Sequence, residues 1–217
     1  MIPVQISGHP PGTVGIPAGE TARYTSFTQS LASLRVPEGT QLAVAQGISV
    51  TRNLNEICSS VIGDWLWIVG DDHVFDDDVL MRLLARRLPI VVPLCYLRRP
   101  PALAAFRKRT AEGYVTMRAD ELPERGTVAV EAAGTAGMLI RREVLDAIES
   151  PTWRTSDEEQ NEDLVFCGRV REAGFEIALD VEVAIGHITP VVLWPVSRFN
   201  SRCLRVDFGG GAEVFIP

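Results

Sequence analysis

The chain has few of the features that mark secreted or membrane-spanning proteins. Its four cysteines are widely spaced and form no Cys-x-x-Cys pair, which argues against a disulfide framework and against a cysteine-based zinc site, and favours reduced core thiols. The longest apolar run, residues 90–96, contains a proline and is far too short to cross a bilayer. The sequence does not open on a basic stretch followed by an apolar segment, so no signal peptide is expected. These absences predict a cytoplasmic protein without membrane association.

Positive charge is also scarce, except in one segment. The net charge is −7 at pH 7, which argues against broad binding of nucleic acids. Residues 79–119 nevertheless contain nine basic residues and a single acid, Glu112, so an anionic partner could meet the protein there. Arg86 and Arg87 are expected on the outer face of a helix, without a specific role. The basic residues that flank an irregular region further on are Arg98, Arg99, Arg107, Lys108 and Arg109.

With 217 residues, 46% of them hydrophobic, the chain is long enough for one domain with a substantial core. Residues 7–19 are rich in glycine and proline and are expected to form a loop. The apolar pattern that follows alternates between strand and helix, which is typical of an α/β protein whose central sheet is mostly parallel and flanked by helices. The predicted helices span residues 27–34, 54–61 and 79–88, and the predicted strands span residues 41–45, 65–69 and 90–92.

The second half of the sequence is less regular. Residues 107–127 carry mixed charge and are expected to form a hairpin or a mobile flap. Residues 162–173 predict a helix that ends at Gly174, and the tail is expected to close with a small hairpin. The remaining predicted elements are a short helix at residues 143–148 and strands at residues 128–132, 138–140, 176–179, 181–185, 203–208 and 213–216.

Side chains able to bind a metal follow the predicted strand 65–69 directly. The strand stops at Gly70, and Asp71, Asp72 and His73 come next. In an open α/β sheet, ligands bind outside the carboxyl ends of the strands. Because side chains two apart in an extended segment point the same way, Asp71 and His73 are expected to hold one ion while Asp72 faces elsewhere.

Two further segments extend this candidate site. Glu162 and Asp163 open a predicted helix, and His187 follows a predicted strand. The order of the three segments resembles that of glycosyltransferases of the GT-A fold, above all the large inverting family 2 and its phage-type relatives. The resemblance runs from about residue 15 to residue 187. It implies a GT-A-like fold, a nucleoside-diphosphate-sugar donor and a divalent metal, Mn²⁺ or Mg²⁺.

The resemblance also implies roles for individual residues. Asp71 and His73 match the family's Asp-x-Asp motif in an Asp-x-His form, and His187 matches the later histidine that completes the metal site. Asp163 matches the general base of inverting members, with Glu162 beside it in the same motif. The residues that resemble donor-binding positions are Pro17, Ala18, Arg52, Asn53, Asp71, Asp72, Gly134, Thr135, Ala136 and Gly137.

Two positions depart from the family pattern. The opening segment Gly15-Ile16-Pro17-Ala18 keeps the proline but lacks the usual aromatic residue and asparagine. The aspartate that usually reads the base is not evident near residues 46–47, so the nucleobase stays open.

The chemistry of sugar transfer agrees with these residue types. Departure of a nucleoside diphosphate builds negative charge that a divalent cation can neutralise. Mixed carboxylate and imidazole ligands suit Mn²⁺ better than Ca²⁺, with Mg²⁺ as an alternative. A carboxylate at a helix N-terminus can accept the proton of an attacking hydroxyl group. Arg52, or an arginine of the basic segment, can bind the diphosphate through paired hydrogen bonds.

We therefore expect a single glycosyltransferase domain, residues 1–217, with a nucleotide-binding half at 1–95, an acceptor and catalytic half at 96–190 and a tail at 191–217. The acceptor is expected to be a hydroxyl group, and the basic segment makes a hydroxylated base in phage DNA one candidate. One alternative is a nucleotidyltransferase or a metal-dependent phosphohydrolase, although the glycine-rich opening has no lysine partner for a phosphate loop. Another is a non-catalytic module that binds sugars or nucleic acids. The oligomeric state is not determined by the sequence.

Overall fold

The computed structural model describes residues 3–19, 24–98, 105–111, 113–155, 161–198, 201–209 and 211–216. Arg99 and Glu112 of the basic segment lie outside these residues. The described helices are α1 (Thr25–Ser33), α2 (Val50–Ser59), α3 (Val79–Ala85), α4 (Arg142–Ala147) and α5 (Glu162–Glu172), with a 3₁₀ helix at Ala119–Glu121. In the described part of the chain, no helix is both long enough and apolar enough to span a bilayer.

The described strands are β1 (Val4–Ile6), β2 (Thr13–Ala18), β3 (Arg35–Pro37), β4 (Gln41–Gln46), β5 (Trp65–Ile68), β6 (His73–Val74), β7 (Ile90–Leu94), β8 (Phe106–Thr110), β9 (Gly113–Thr116), β10 (Thr127–Val130), β11 (Ala132–Ala133), β12 (Met138–Arg141), β13 (Ile177–Ala184), β14 (Gly186–His187), β15 (Val192–Arg198), β16 (Ser201–Asp207) and β17 (Glu213–Ile216).

The central sheet of the described residues has seven strands in the order β10-β13-β7-β12-β5-β2-β4. Five of them run in one direction, whereas β10 and β12 run antiparallel to their neighbours. Helices cover both faces of the sheet. The predicted α/β architecture, with a mostly parallel sheet flanked by helices, is therefore confirmed.

The expectation of a loop over residues 7–19 is wrong, because Thr13–Ala18 forms strand β2 between β4 and β5. The glycines there mark close packing as well as turns. A Cβ on Gly12 would lie 2.2 Å from the ring of Trp65, and one on Gly15 would lie 2.6 Å from a side-chain carbon of Ile57 in α2. Gly15 is the last residue of β2 that pairs with β5, and Pro17 lies two residues beyond it. A proline is tolerated at that point because β5 requires no hydrogen bond from it.

Strand β5 shows how the core is divided. Trp65 and Trp67 pack on one face of the sheet with α1 and α3, whereas Leu66 and Ile68 pack on the other face with α2 and α5. All four side chains are fully buried. A continuous apolar run is what a strand covered on both faces requires, and this explains why the sequence pattern identified β5 correctly.

Strand β12 brings a loop to the edge of the sheet where the parallel strands end. Because β12 runs antiparallel to β5, residues 134–137 lie beside the end of β5, where Met138 pairs with Ile68. Gly137 has a φ of 72°, and its carbonyl accepts a 2.8 Å hydrogen bond from the indole N–H of Trp67. A Cβ at this position would lie 2.6 Å from the ring of Pro93 at the end of β7. The conformation and the packing both require glycine here.

Two predicted hairpins are present in the structure. Strands β8 and β9 pair antiparallel within the segment 107–127, so this part is a hairpin. Strands β16 and β17 form the predicted closing hairpin. The tail also contains β15, which was not predicted and which makes a three-stranded antiparallel sheet with them.

Arg86 has a specific role, contrary to expectation, whereas Arg87 is exposed as predicted. The Arg86 guanidinium donates to both oxygens of the fully buried Asp180 at 2.6 and 3.0 Å, and it also contacts Glu182 at 3.0 Å. These hydrogen bonds raise the pKa of Arg86. Asp180 lies in β13, so this contact ties the end of α3 to the sheet.

We expect Arg86→Leu to destabilise the fold by about 2 to 3 kcal/mol, because it leaves the buried carboxylate of Asp180 without its cation. Urea unfolding measures this change. Arg118→Leu is the matched control, since Arg118 pairs with Asp120 on the open surface and its loss should alter stability little. Equal stability of the two variants would contradict a structural role for Arg86.

Candidate active site

The loop after β5 folds differently from the extended segment that was expected. Residues 71–72 form a turn, so the alternation of an extended chain does not apply to them. Asp71 accepts a hydrogen bond from the backbone N–H of Gly19 at 3.3 Å, directly after β2. Asp72 is the carboxylate that contacts the histidines. The expectation that Asp72 faces elsewhere is therefore wrong.

Asp72 lies between two imidazoles and an arginine. Its carboxylate is 3.0 Å from Nδ1 of His73, 3.2 Å from Nε2 of His187 and 3.1 Å from Nη1 of Arg98. Burial alone would raise the pKa of Asp72, but the hydrogen bonds to His187 and His73 outweigh burial and hold the pKa well below its usual range. The carboxylate is therefore ionised at neutral pH.

The two histidines are joined by the backbone as well as by Asp72. His73 in β6 and His187 in β14 are paired antiparallel residues, and their rings stack with centroids 4.5 Å apart and planes at 19°. The backbone N–H of Ile188 also donates to the carbonyl of Asp72 at 2.8 Å. The structure thus brings His73 and His187 together, although 113 positions of sequence lie between them.

Hydrogen bonding defines which imidazole nitrogens are free. Nδ1 of His73 contacts the carbonyl of Gly70 at 3.2 Å and Asp72, and both partners can only accept, so Nδ1 carries the hydrogen. Nε2 of His73 is buried and has no hydrogen-bond partner among the described residues. Nδ1 of His187 lies 3.2 Å from the carbonyl of Tyr96, which likewise requires an N–H. His187 Nε2 then faces a carboxylate, so a proton or a metal ion must lie between them.

Cys95 is a neighbour that the sequence did not identify. One donor atom each from His73, Cys95 and His187 lies within 4.8 Å of the other two. Burial raises the pKa of Cys95 to about 11, with a further contribution from the charge of Asp72. Its position in the sequence could have identified it as a site residue, because Cys95 directly follows β7 just as the Asp-Asp-His run follows the end of β5. All four cysteines are free in the structure, with Cys95 and Cys167 buried and Cys58 and Cys203 half-buried.

These donors fit a divalent metal. The carboxylate, the imidazoles and the buried nitrogen without a partner are the groups that bind transition-metal ions in proteins. His73 contacts the carbonyl of Gly70 and His187 contacts the carbonyl of Tyr96. In other proteins, such contacts to a backbone carbonyl orient the imidazoles that bind metals. His73, His187 and Asp72 could therefore hold such an ion, and Asp71 lies in the same loop.

Asp163 lies in the first turn of α5, in the second half of the chain. Burial raises the pKa of its carboxyl above the usual value, although the N–H of Leu164 and the charge of Arg107 act in the opposite direction. The neighbouring Glu162 is half-buried. A small cavity of about 60 Å³ opens beside Asp163, and its lining consists of Leu97, Ala105, Arg107, Thr116, Ala133, Gly134, Asp163 and Leu164.

The loop Gly134–Gly137 connects this cavity with the histidine cluster. At its start, a Cβ on Gly134 would lie 3.7 Å from Oδ2 of Asp163. At its end, Gly137 packs against Pro93, two residues before Cys95. Thr135 and Ala136 between them are half-buried. A single short loop therefore borders both groups of candidate residues.

The predicted donor-binding residues near the N-terminus have two different environments. Asn53 is buried, and its side-chain amide donates to the carbonyls of Ala18 and Gly47 at 3.2 and 3.1 Å. These hydrogen bonds connect the end of β2 with the residue that follows β4. Arg52 is exposed on the first turn of α2. Pro17 and Ala18 end β2, next to the Gly19 N–H that holds Asp71.

The cations of the basic segment are distributed unevenly. Arg98 reaches Asp72, and Arg107 lines the cavity beside Asp163. Lys108 instead pairs with Glu121 at 2.5 Å, and Arg118 pairs with Asp120 at 2.9 Å. A separate depression of about 630 Å³ lies at the opposite edge of the sheet, and its described lining includes none of the predicted site residues.

Comparison with known proteins places the chain in a family. The family model described as "Glycosyltransferase like family 2" matches residues 32–204. None of the curated proteins compared with the chain matches it. Among solved structures, A197 from STIV matches with a TM-score of 0.55 at 13% identity, covering 93% of this chain and 97% of that one.

Two larger proteins share the fold as well. GalNAc-T7, crystallised with UDP, GalNAc and Mn²⁺, matches with a TM-score of 0.56 at 9% identity, covering 82% of this chain and 43% of its own. Residues 1–349 of S. aureus TarS match with a TM-score of 0.50 at 11% identity, covering 82% of this chain and 61% of that one. At such low identity these structures show the fold alone, and the family match shows the activity class. The chain belongs to the glycosyltransferase like family 2, and it is a glycosyltransferase with a GT-A fold.

Proposed function

We propose that this glycosyltransferase uses a divalent metal, Mn²⁺ or Mg²⁺, to transfer a sugar from a nucleoside-diphosphate donor to a hydroxyl acceptor. The observation that carries the proposal is the ionised carboxylate of Asp72 between His73 and His187, at the edge where the parallel strands end. The Mn²⁺ and UDP present with GalNAc-T7, which shares the fold, support it.

The proposed metal ligands are Asp71, His73 and His187, and we add Asp72 because it contacts both imidazoles. When bound, the metal would neutralise charge on the departing diphosphate. Arg98 lies beside the same carboxylate and keeps half of its side chain exposed, so it is placed to bind a diphosphate oxygen.

Asp163 is the proposed general base. Its raised pKa keeps it a better proton acceptor than an ordinary carboxylate. The adjoining cavity would admit the acceptor hydroxyl, and Gly134 leaves space beside Oδ2 because it has no side chain. In this arrangement the nucleotide binds to residues 1–95, including Pro17, Ala18 and Arg52, and the acceptor binds to residues 96–190.

The first test is release of nucleoside diphosphate from a panel of sugar nucleotides, with and without Mn²⁺. We expect His187→Ala to raise the Mn²⁺ concentration that half-saturates activity and to weaken donor binding, because one ligand is lost. His9→Ala is the matched control, since His9 lines the depression at the opposite edge. An unchanged Mn²⁺ requirement in His187→Ala would remove His187 from the site.

For Asp163→Asn we expect turnover to fall by about 10²-fold or more, with donor affinity nearly intact, because the amide cannot accept a proton. The wild-type rate should fall as pH drops through the raised pKa of Asp163, since only the ionised form is a base. This acidic limb should be missing from the residual rate of the variant. Asp146→Asn, at the opposite edge, is the control. Turnover within a few-fold of wild type in Asp163→Asn would assign the base elsewhere.

A polyanionic acceptor such as DNA would have to use the cations that are not paired within the protein. Lys108 and Arg118 are paired with acids, whereas Arg107 and Arg109 line surface cavities. DNA binding through them should weaken steeply with salt, because each phosphate contact releases counterions.

We expect Arg107→Gln with Arg109→Gln to flatten the dependence of DNA affinity on salt, and Lys108→Gln to change it less. Fluorescence anisotropy of a labelled duplex, titrated at several salt concentrations, measures this slope. Should wild-type protein not bind DNA at low salt, the acceptor is a small or protein-borne hydroxyl compound.

A further inference from the structure

Cys95 is a buried thiol that the proposed chemistry does not use. Its side chain is 1% exposed, and its sulfur lies within 4.8 Å of one ring nitrogen of His73 and one ring nitrogen of His187. We propose that Cys95 is a ligand of the same metal ion and that its sulfur makes the site prefer a thiophilic ion such as Zn²⁺ over Mg²⁺. This inference rests on the proposed function, because it concerns that metal site.

The free nitrogen of His73 is the first supporting observation. His73 is 5% exposed, and its Nε2 has no hydrogen-bond partner among the described residues. A buried acceptor without a partner is unfavourable, because it has lost its hydrogen bonds to water. A metal ion bound to this nitrogen would remove that cost. His73 belongs to the group of three possible metal ligands that also includes Cys95.

The carbonyl of Tyr96 is the second observation. It accepts the Nδ1–H of His187 at 3.2 Å and lies 3.7 Å from the sulfur of Cys95. One backbone group therefore orients both side chains. Metal-binding histidines characteristically donate their second N–H to such a carbonyl, so the orientation leaves Nε2 of His187 for an ion.

The types of donor determine which ion the site prefers. Carboxylates and water suit Mg²⁺ and Mn²⁺, whereas thiolates select softer ions such as Zn²⁺. In a tetrahedral site with bonds of about 2.0 to 2.3 Å, donors lie about 3.5 Å apart, so a spread of at most 4.8 Å has to contract by about an ångström. Mn²⁺ can still bind through the imidazoles and carboxylates, but the sulfur adds affinity chiefly for the softer ions.

A core cysteine without a ligand role would have different surroundings. Cys167 illustrates this case, since its thiol lies in the apolar core beside the backbone of Ala133. Cys95 is likewise part of an apolar cluster, but its sulfur also lies near one nitrogen each of two imidazoles. The nearby imidazoles therefore distinguish Cys95 from Cys167.

The experiment uses Co²⁺ as a spectroscopic probe of the full-length protein, without any substrate. Co²⁺ is added to the wild type, Cys95→Ser and the control Cys203→Ser, whose thiol lies in the tail strand β16. Absorption in the visible region reports Co²⁺ binding, and a near-ultraviolet charge-transfer band reports a cobalt–thiolate bond. Competition experiments then give the affinities for Zn²⁺ and Mn²⁺. Cys95→Ala is measured as a second variant, and thermal unfolding without metal checks that each variant is folded.

We expect the charge-transfer band in the wild type and in Cys203→Ser, and its loss in both Cys95 variants. Their Zn²⁺ affinity should fall by at least about 10-fold, because losing only a residue that contacts a metal ligand already lowers metal affinity by about that factor. Their Mn²⁺ affinity should change little. Visible Co²⁺ bands without a charge-transfer band in the wild type would overturn the role of Cys95 and leave the metal site intact. Absence of any Co²⁺, Zn²⁺ or Mn²⁺ binding to the wild type would overturn the metal dependence of the proposed function as well.

Discussion

A partly buried, ionised carboxylate needs hydrogen-bond donors and positive charge close to it, and three segments of the chain supply these groups to Asp72. His73 follows it after β5, His187 comes from β14, and Arg98 comes from the chain after β7. Because these contacts come from different strand ends, the carboxylate fixes the positions of β5, β7 and β13 relative to one another at one edge of the sheet. A metal ion would supply positive charge at the same place, so the contacts that stabilise this edge are also the contacts of the proposed metal site.

The second constraint on the site is the direction of β12. Had β12 run parallel to its neighbours, the loop before it would lie at the opposite edge of the sheet. As an antiparallel strand between β5 and β7, it delivers Gly134 and Gly137 to the edge that holds the histidines. The same loop borders the cavity of Asp163. The reversal of one strand therefore places the proposed base and the proposed metal site on two sides of one short loop.

Small residues permit the close approaches that this arrangement needs. Gly12 and Gly15 let β2 pack under Trp65 and against α2, which places Gly19 where its N–H reaches Asp71. Gly137 combines a left-handed backbone with contact to Pro93. At these positions the missing Cβ is a packing requirement that extends from the sheet to the site.

Much of the fold could be predicted from the sequence because its strongest patterns are local. The run Trp65–Ile68 is apolar on both faces and so identified a buried central strand, and the spacing of Leu54 and Ile57 identified α2. Strand β2 could not be recognised in the same way, because its glycines and proline are typical of a loop until Trp65 and Ile57 are seen to pack against them. The role of Arg86 was missed for a similar reason, since its partner Asp180 lies 94 positions away.

For the site, the sequence by itself determined the residue types and the strand ends at which they occur, since Asp71, Asp72, His73 and His187 all follow apolar runs. Which of them meet was decided only by the tertiary structure. A turn at residues 71–72 moved Asp72 between the histidines, which no rule based on alternation in an extended chain could anticipate. Cys95 joined them because β7 ends at the same edge of the sheet as β5. Contacts between distant segments depend on strand order and direction, and a linear pattern does not contain that information.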